Sequence, residues 1–66
     1  MWVDFNGKRL EVKPETTVRE LLVQTSLADG PVAVELNHTI VPRSEHTTTM
    51  LAEGDRLEVV HFVGGG

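Results

Sequence analysis

The chain has 66 residues, a formal net charge of −4 and no cysteine. This length suits one small domain, and the lack of cysteine excludes disulfides, thiolate nucleophiles and thiolate metal sites. The acidic balance argues against nucleic acid as a partner and favours a basic surface on another protein. Since no stretch has signal-peptide character or membrane-spanning length, we expect a cytoplasmic protein without membrane contact.

A β-hairpin is predicted at the start of the chain. Apolar and polar residues alternate over residues 1–5, which is typical of a half-buried strand. Asn6-Gly7 follows, and this pair favours a type I′ turn because both central positions need a positive φ. A second strand is predicted for residues 8–12, ending before Pro14.

A short helix is predicted next. Thr17 and Glu20 have the spacing of a capping box, in which each side chain bonds the backbone N–H of the other residue. One helical face then collects Val18, Leu21, Leu22 and Thr25. We expect the helix to end near Ser26, before the chain-breaking segment 29–31.

Two strands joined by a turn are predicted after the helix. Residues 32–36 alternate, Asn37-His38 forms the turn, and residues 40–42 form a short strand that Pro42 confines to an edge or an end. Residues 43–49 lack a clear period and fit either a single helical turn or an extended loop.

The last part of the chain combines core residues with the most apolar strand. Met50 and Leu51 are expected to cap the core. Residues 53–55 form a tight turn closed by Asp55, and residues 56–63 form the final strand.

This order of elements predicts an α+β fold. One helix would pack across one face of a mixed four- to five-stranded sheet, and a right-handed crossover through the helix would reach the third strand. The most apolar strand, the last, belongs in the middle beside the first. This layout is a β-grasp (ubiquitin-like) domain over residues 1–63, followed by a flexible glycine tail over residues 64–66.

The alternation also assigns the two faces of the last strand. Because Glu58 should face water, its neighbours in the opposite phase should point toward the helix, namely Leu57, Val59, His61 and Val63. Val60 and Phe62 then lie on the outer face, and Trp2 should join them because it shares its phase with Asp4. We expect Trp2, Val60 and Phe62 to form an exposed apolar patch that binds a partner.

The histidines do not predict a metal site. The spacing of His38, His46 and His61 matches no zinc pattern, and no carboxylate pair is arranged with them. His61 is expected to be a packed or strand-end histidine on the helix side, where one ring nitrogen can form a hydrogen bond.

Several segments along the chain together form a recognisable combination. They are residues 5–7 (Phe-Asn-Gly), 17–22, 32–37, 40–43 (Ile-Val-Pro-Arg), 53–55 (Glu-Gly-Asp) and 60–66 (Val-His-Phe-Val-Gly-Gly-Gly). Through these segments, nearly the whole chain resembles the ThiS family of thiamine-biosynthesis sulfur carriers. Each segment is common by itself, but their combination with a glycine-rich end is much more specific.

The resemblance implies a function for this end of the chain. A ThiF-like enzyme would use ATP and Mg²⁺ to adenylate the carboxylate of Gly66, and a sulfur donor such as a cysteine desulfurase would convert the adenylate to a thiocarboxylate. The carrier would then donate its sulfur to a ThiG-like thiazole synthase. Gly64 and Gly65 would enter the partners' active sites, and the chain would bind no cofactor of its own and would be a protein co-substrate instead of an enzyme.

Two other functions remain open from the sequence. The same fold and diglycine end occur in sulfur carriers for molybdopterin synthesis and other sulfur-transfer pathways. A β-grasp domain can also be a binding module without covalent chemistry, because the fold does not fix the function.

Overall fold

The computed structural model describes residues 1–62, and the β-grasp fold predicted from the sequence is confirmed. The elements in chain order are β1 (Trp2–Phe5), β2 (Lys8–Glu11), α1 (Val18–Gln24), β3 (Val32–Leu36), β4 (Thr39–Val41), a 3₁₀ helix (Arg43–Glu45) and β5 (Arg56–His61). Each predicted element is present. β3 has the predicted bounds, the other elements have ends that differ by one or two residues, and the predicted end of β5 at Val63 lies outside the described residues. Residues 43–49 adopt the helical-turn alternative over Arg43–Glu45.

The five strands form one mixed sheet in the order β2-β1-β5-β3-β4. The pairs β1–β2, β3–β4 and β3–β5 are antiparallel, whereas β1 and β5 are parallel. The last strand therefore lies in the middle of the sheet beside the first, as predicted. β5 pairs with β3 from Leu57 to His61, and with β1 only at Arg56 and Leu57.

The helix begins at the predicted capping box. The Thr17 hydroxyl accepts a hydrogen bond from the backbone N–H of Glu20 at 3.1 Å, and the Glu20 carboxylate accepts from the backbone N–H of Thr17 at 2.9 Å. These bonds satisfy backbone donors that have no partner within the helix. Thr25 caps the other end of the helix.

The core lies between α1 and the inner face of the sheet. Val18, Leu21 and Leu22 supply the helix side, and Val3, Val34, Leu57 and Val59 are among the buried strand residues. Leu51 is buried as expected, but the prediction for Met50 is wrong because its side chain is 60% exposed. The backbone of Met50 bridges to Thr17, and this pairing fixes the alternation so that only Leu51 points inward.

The turn before β5 is closed by Asp55, as predicted. Its carboxylate accepts hydrogen bonds from the Ala52 backbone N–H at 2.7 Å and from the Asn37 side chain at 3.0 Å. The Asn37 side chain in turn accepts from the backbone N–H of Arg56 at 2.9 Å. Asp55 and Asn37 thus join the start of β5 to the turn between β3 and β4.

Within residues 1–62, no helix is long and apolar enough to cross a membrane.

Candidate functional site

The candidate site is the carboxyl-terminal half of β5, which leads to the glycine tail. On one side, β3 pairs along this half of the strand, with Ala33 opposite Val60 and Val32 opposite His61. On the other side, β1 is already finished at Phe5, which pairs with Leu57. The strand thus extends beyond β1 while β3 still supports it.

The side chain of Asn6 fills the place that β1 leaves. Its Oδ1 accepts a hydrogen bond from the backbone N–H of Val59 at 2.7 Å, and its Nδ2 donates to the Val59 carbonyl at 3.2 Å. The backbone of Asn6 is left-handed with φ 49°, in agreement with the predicted turn. The sequence predicted the turn but not these bonds, because they join residues 53 positions apart.

Two of the three predicted patch residues lie together at this end of the sheet. Val60 is 57% exposed and Phe62, just after the strand, is 55% exposed. The sequence did not point to Ile40, which is 61% exposed. Ile40 pairs with Glu35, and Glu35 pairs with Glu58 on β5, so Ile40 shares the outer face with Val60. The shared face of Ile40 and Val60 follows from the strand register, and alternation along a single strand does not give that register.

Trp2, the third predicted member, does not belong to this patch. Asp4 pairs with Arg56 in the parallel register, and the Trp2 carbonyl accepts from the backbone N–H of Gly54 at 2.7 Å. Trp2 is therefore level with Gly54, in the turn before β5, and lies about 20 Å from Val60 along the strand direction at ~3.3 Å per residue. The Arg9 guanidinium lies 4.6 Å from the centre of the indole ring. The predicted three-residue patch is thus corrected to an outer-face patch of Val60 and Phe62, with Ile40 exposed on the same face two strands away.

The inner face of β5 agrees with the prediction at its two core positions. Leu57 is fully buried and Val59 is 8% exposed. His61 ends the strand as expected, but it is exposed and does not pack in the core. A Cβ atom at Gly30 would lie 2.9 Å from His61 Nε2, so the imidazole lies against the loop that follows the helix. Val63 lies outside the described residues.

The other two histidines, His38 and His46, each contact a different partner. His46 is buried, and its Nε2 lies 3.1 Å from the Val41 carbonyl oxygen. His38 is exposed, with Nδ1 3.7 Å from a Glu35 carboxylate oxygen. In the part of the chain that the structure describes, no group of three or more His, Cys, Asp or Glu side chains could hold a metal ion.

The predicted reactive residues, Gly64, Gly65 and Gly66, lie outside the described residues. What the structure gives is the base of the tail. There the backbone N–H of Phe62 donates to the Pro31 carbonyl at 2.9 Å, which continues the β3 side of the ladder by one residue. The position of Phe62, four residues before Gly66, is thereby fixed.

Comparisons with known proteins agree with this fold. The chain is 39% identical over its full length to a thiazole synthase of Magnetococcus marinus, of which it spans only 20%. It is 37% identical over 65 residues to the sulfur carrier protein ThiS of Bacillus subtilis, covering 97% of this chain and 98% of that protein. A crystal structure of a thiamine biosynthesis protein (ThiS) from Geobacter metallireducens superposes with a TM-score of 0.84 and 35% identity, covering all of both chains.

The family assignment follows from a match to the ThiS family model over residues 3–66. This range contains the hairpin with Asn6, the outer-face patch and the three glycines. The chain belongs to the ThiS family, the family of sulfur carrier proteins in thiamine biosynthesis.

Proposed function

We propose that this chain carries sulfur as a thiocarboxylate on Gly66 and donates it for the thiazole ring of thiamine. The observation that supports this proposal is that, in a member of the ThiS family, the central strand β5 ends at His61, and the glycines Gly64, Gly65 and Gly66 begin three residues later in the sequence. The body of the domain holds the base of the tail, and the glycines supply reach. In this proposal the chain is a co-substrate, and its partners perform the catalysis.

The chemistry requires activation of the terminal carboxylate. A carboxylate is a poor electrophile until one oxygen becomes part of a leaving group, which AMP supplies after reaction with ATP on a ThiF-like enzyme. The terminal sulfur of a persulfide, delivered by a donor such as a cysteine desulfurase, then displaces AMP and gives an acyl disulfide. A thiol reductant cleaves the S–S bond of this intermediate and leaves the thiocarboxylate. Because the chain has no cysteine, it has no thiol of its own on which to carry transferable sulfur.

The glycines are suited to a narrow active site. Without a Cβ atom, Gly64 and Gly65 allow the backbone to enter a channel where a side chain would clash. Ordering such a tail costs about 1–2 kcal/mol per residue. Contacts made by the folded body must offset this cost, and the outer-face patch next to the tail is positioned to make them.

Thiazole synthase is the proposed acceptor of the sulfur. The similar thiazole synthase of M. marinus contains a segment corresponding to this whole chain within a protein about five times as long. The presence of such a segment within a thiazole synthase supports a functional interaction between the carrier and that enzyme. It favours the thiazole pathway over molybdopterin synthesis as the destination of the sulfur.

An intact-mass experiment tests the proposal. The chain is incubated with a ThiF-like enzyme, ATP, Mg²⁺ and a sulfur donor, and the expected product is heavier by the difference between sulfur and oxygen. A variant that lacks Gly66 should stay unmodified while keeping its thermal stability. An unchanged mass, with an enzyme that modifies its own carrier in the same mixture, would refute the proposal.

A second experiment tests whether the native protein ends in a free carboxylate at Gly66. The proposal requires that Gly66 carries the terminal carboxylate in the cell, directly or after processing. The mass of the protein purified from its source should therefore correspond to a chain that ends at this residue. A native chain that continues past Gly66 without cleavage would favour a binding module without covalent chemistry.

We further propose that Val60 and Phe62 contact the activating enzyme or the acceptor. Val60→Asp or Phe62→Asp should weaken binding with little loss of thermal stability, because both side chains are more than half exposed. Val23→Asp is the matched control, since Val23 on α1 is also 57% exposed but lies on the helix side of the sheet. Equal weakening by the control would contradict a specific patch.

A further inference from the structure

A small cavity with two arginines lies on the helix side of the sheet, on the opposite face from the outer-face patch. It has a volume of about 140 Å³ and lies between α1, the loop before β3 and the 3₁₀ helix. Arg19 and Arg43 line it together with Thr47, while Leu22, Gly30 and His46 form its walls. We propose that this cavity binds a small tetrahedral oxyanion of the phosphate class.

The charges at the cavity are unbalanced. The chain carries 10 acidic and 6 basic residues, yet the ion pairs within residues 1–62 are Arg56–Asp4 and His38–Glu35. Arg19 and Arg43 therefore face one cavity without a carboxylate partner in that part of the chain. Two like charges beside one cavity repel each other, and an anion between them converts this repulsion into attraction.

Two side chains, Arg19 and Thr47, have hydrogen-bond donors available at the cavity. Arg19 Nη1 donates to the Ala28 carbonyl at 3.2 Å, which orients the guanidinium and leaves its other N–H groups available. The Thr47 hydroxyl has no hydrogen-bond partner among residues 1–62 and is a further donor at the cavity. His46 serves as a wall, because its Nε2 is engaged by the Val41 carbonyl at 3.1 Å.

The volume selects the size of the ligand. Since water occupies about 30 Å³ in the liquid, the cavity has space for a phosphate ion and a few waters. Sites for drug-sized ligands measure about 300–1,000 Å³, so a whole nucleotide does not fit. A nucleotide could place only its phosphate group there, and free phosphate and a nucleotide phosphate are the two sources to distinguish.

The test is an NMR titration of the whole chain alone. Sodium phosphate should produce saturable shifts of the backbone amide signals of Arg19, Gly30 and Thr47, whereas sodium chloride at equal ionic strength should not. A parallel titration with AMP identifies the source: the same shifts indicate recognition of a nucleotide phosphate, and their absence indicates free phosphate. Shifts that do not saturate, or that chloride reproduces, would overturn the proposal.

Charge-matched variants locate the site. Arg43→Gln should weaken phosphate binding by about tenfold, the factor expected for loss of one charge-assisted hydrogen bond. Arg9→Gln makes the same change in net charge at the other end of the molecule, beside Trp2, and should leave the affinity within about twofold, as a distant site does. Equal effects of the two variants would reduce the binding to general charge. The titration needs no activating enzyme, so its outcome is independent of the sulfur-carrier proposal.

Discussion

At the scale of single residues, Asn6 has two roles, of which the sequence predicts one and only the folded structure shows the other. Its left-handed backbone, with φ 49°, forms the hairpin turn, and its amide forms two hydrogen bonds with the backbone of Val59. The turn was predictable because Asn-Gly favours positive φ at both positions. The contact with Val59 was not, because local sequence carries no information about a residue 53 positions away.

Replacement of Asn6 by glycine should separate these two roles. Asn6→Gly keeps the left-handed conformation accessible but leaves the Val59 N–H and carbonyl without their partner, so we expect a loss of about 1–3 kcal/mol in the free energy of unfolding. Chemical denaturation measures it. Asn6→Asp retains the acceptor for the Val59 N–H and should lose less than Asn6→Gly. Equal stability of Asn6→Gly and the wild type would mean that the amide does not hold β5.

At the scale of the elements, β5 shows where the alternation of side chains predicts burial correctly and where it does not. The phase of Glu58 correctly separates buried Leu57 and Val59 from exposed Val60. Alternation fails at His61, since the strand ends there and its ring reaches the loop at Gly30 instead of the core. Burial of a residue at the end of a strand depends on what covers it, and the helix does not extend that far.

The two faces of β5 predict opposite results for adjacent valines. Val59→Ala should cost about 2–3 kcal/mol in the free energy of unfolding, because it removes buried methyl groups and leaves a cavity. Val60→Ala should stay within about 0.5 kcal/mol, as expected for an exposed side chain. Urea denaturation of the two variants measures the difference. A larger loss for Val60→Ala would mean that the outer face is covered.

The helix start gives a second prediction at this scale. Thr17→Ala removes the hydroxyl that accepts from the Glu20 N–H, and should cost about 1 kcal/mol in the free energy of unfolding. Ser44→Ala is a suitable control, since it also deletes a hydroxyl, from an exposed residue of the 3₁₀ helix. Similar losses in thermal denaturation of the two variants would argue against a stabilising cap.

At the scale of the whole molecule, the relative shift of β1 and β5 decides which residues share a surface. The parallel register places Asp4 opposite Arg56, so Trp2 lies level with the turn before β5, whereas Val60 lies near the end of β5. The sequence correctly assigned both side chains to the outer face but incorrectly joined them in one patch. Side-chain phase repeats every two residues and does not record how far one strand slides along another.

The net charge predicts how the rate of association with a basic partner depends on salt. With a formal charge of −4, association with the proposed activating enzyme through the basic surface expected on it should slow as ionic strength rises, because salt screens long-range attraction beyond about 10 Å at 0.1 M. Stopped-flow measurement of the association rate tests this. Glu58→Gln, on the face of the patch, should reduce the salt dependence more than Glu15→Gln. A rate that is independent of salt would contradict steering by charge.

Local patterns in the sequence predicted the elements, the β-grasp layout and the capped helix, because turn chemistry, capping and alternation act over a few neighbouring residues. The family was indicated by the resemblance of several segments to ThiS. The tertiary structure alone decided three further features: the separation of Trp2 from Val60, the support of Val59 by Asn6, and the meeting of Arg19 with Arg43 at one cavity. Each depends on the register of paired strands or on how distant segments pack. These are settled by the total burial and hydrogen bonding of the folded chain, which no short segment specifies.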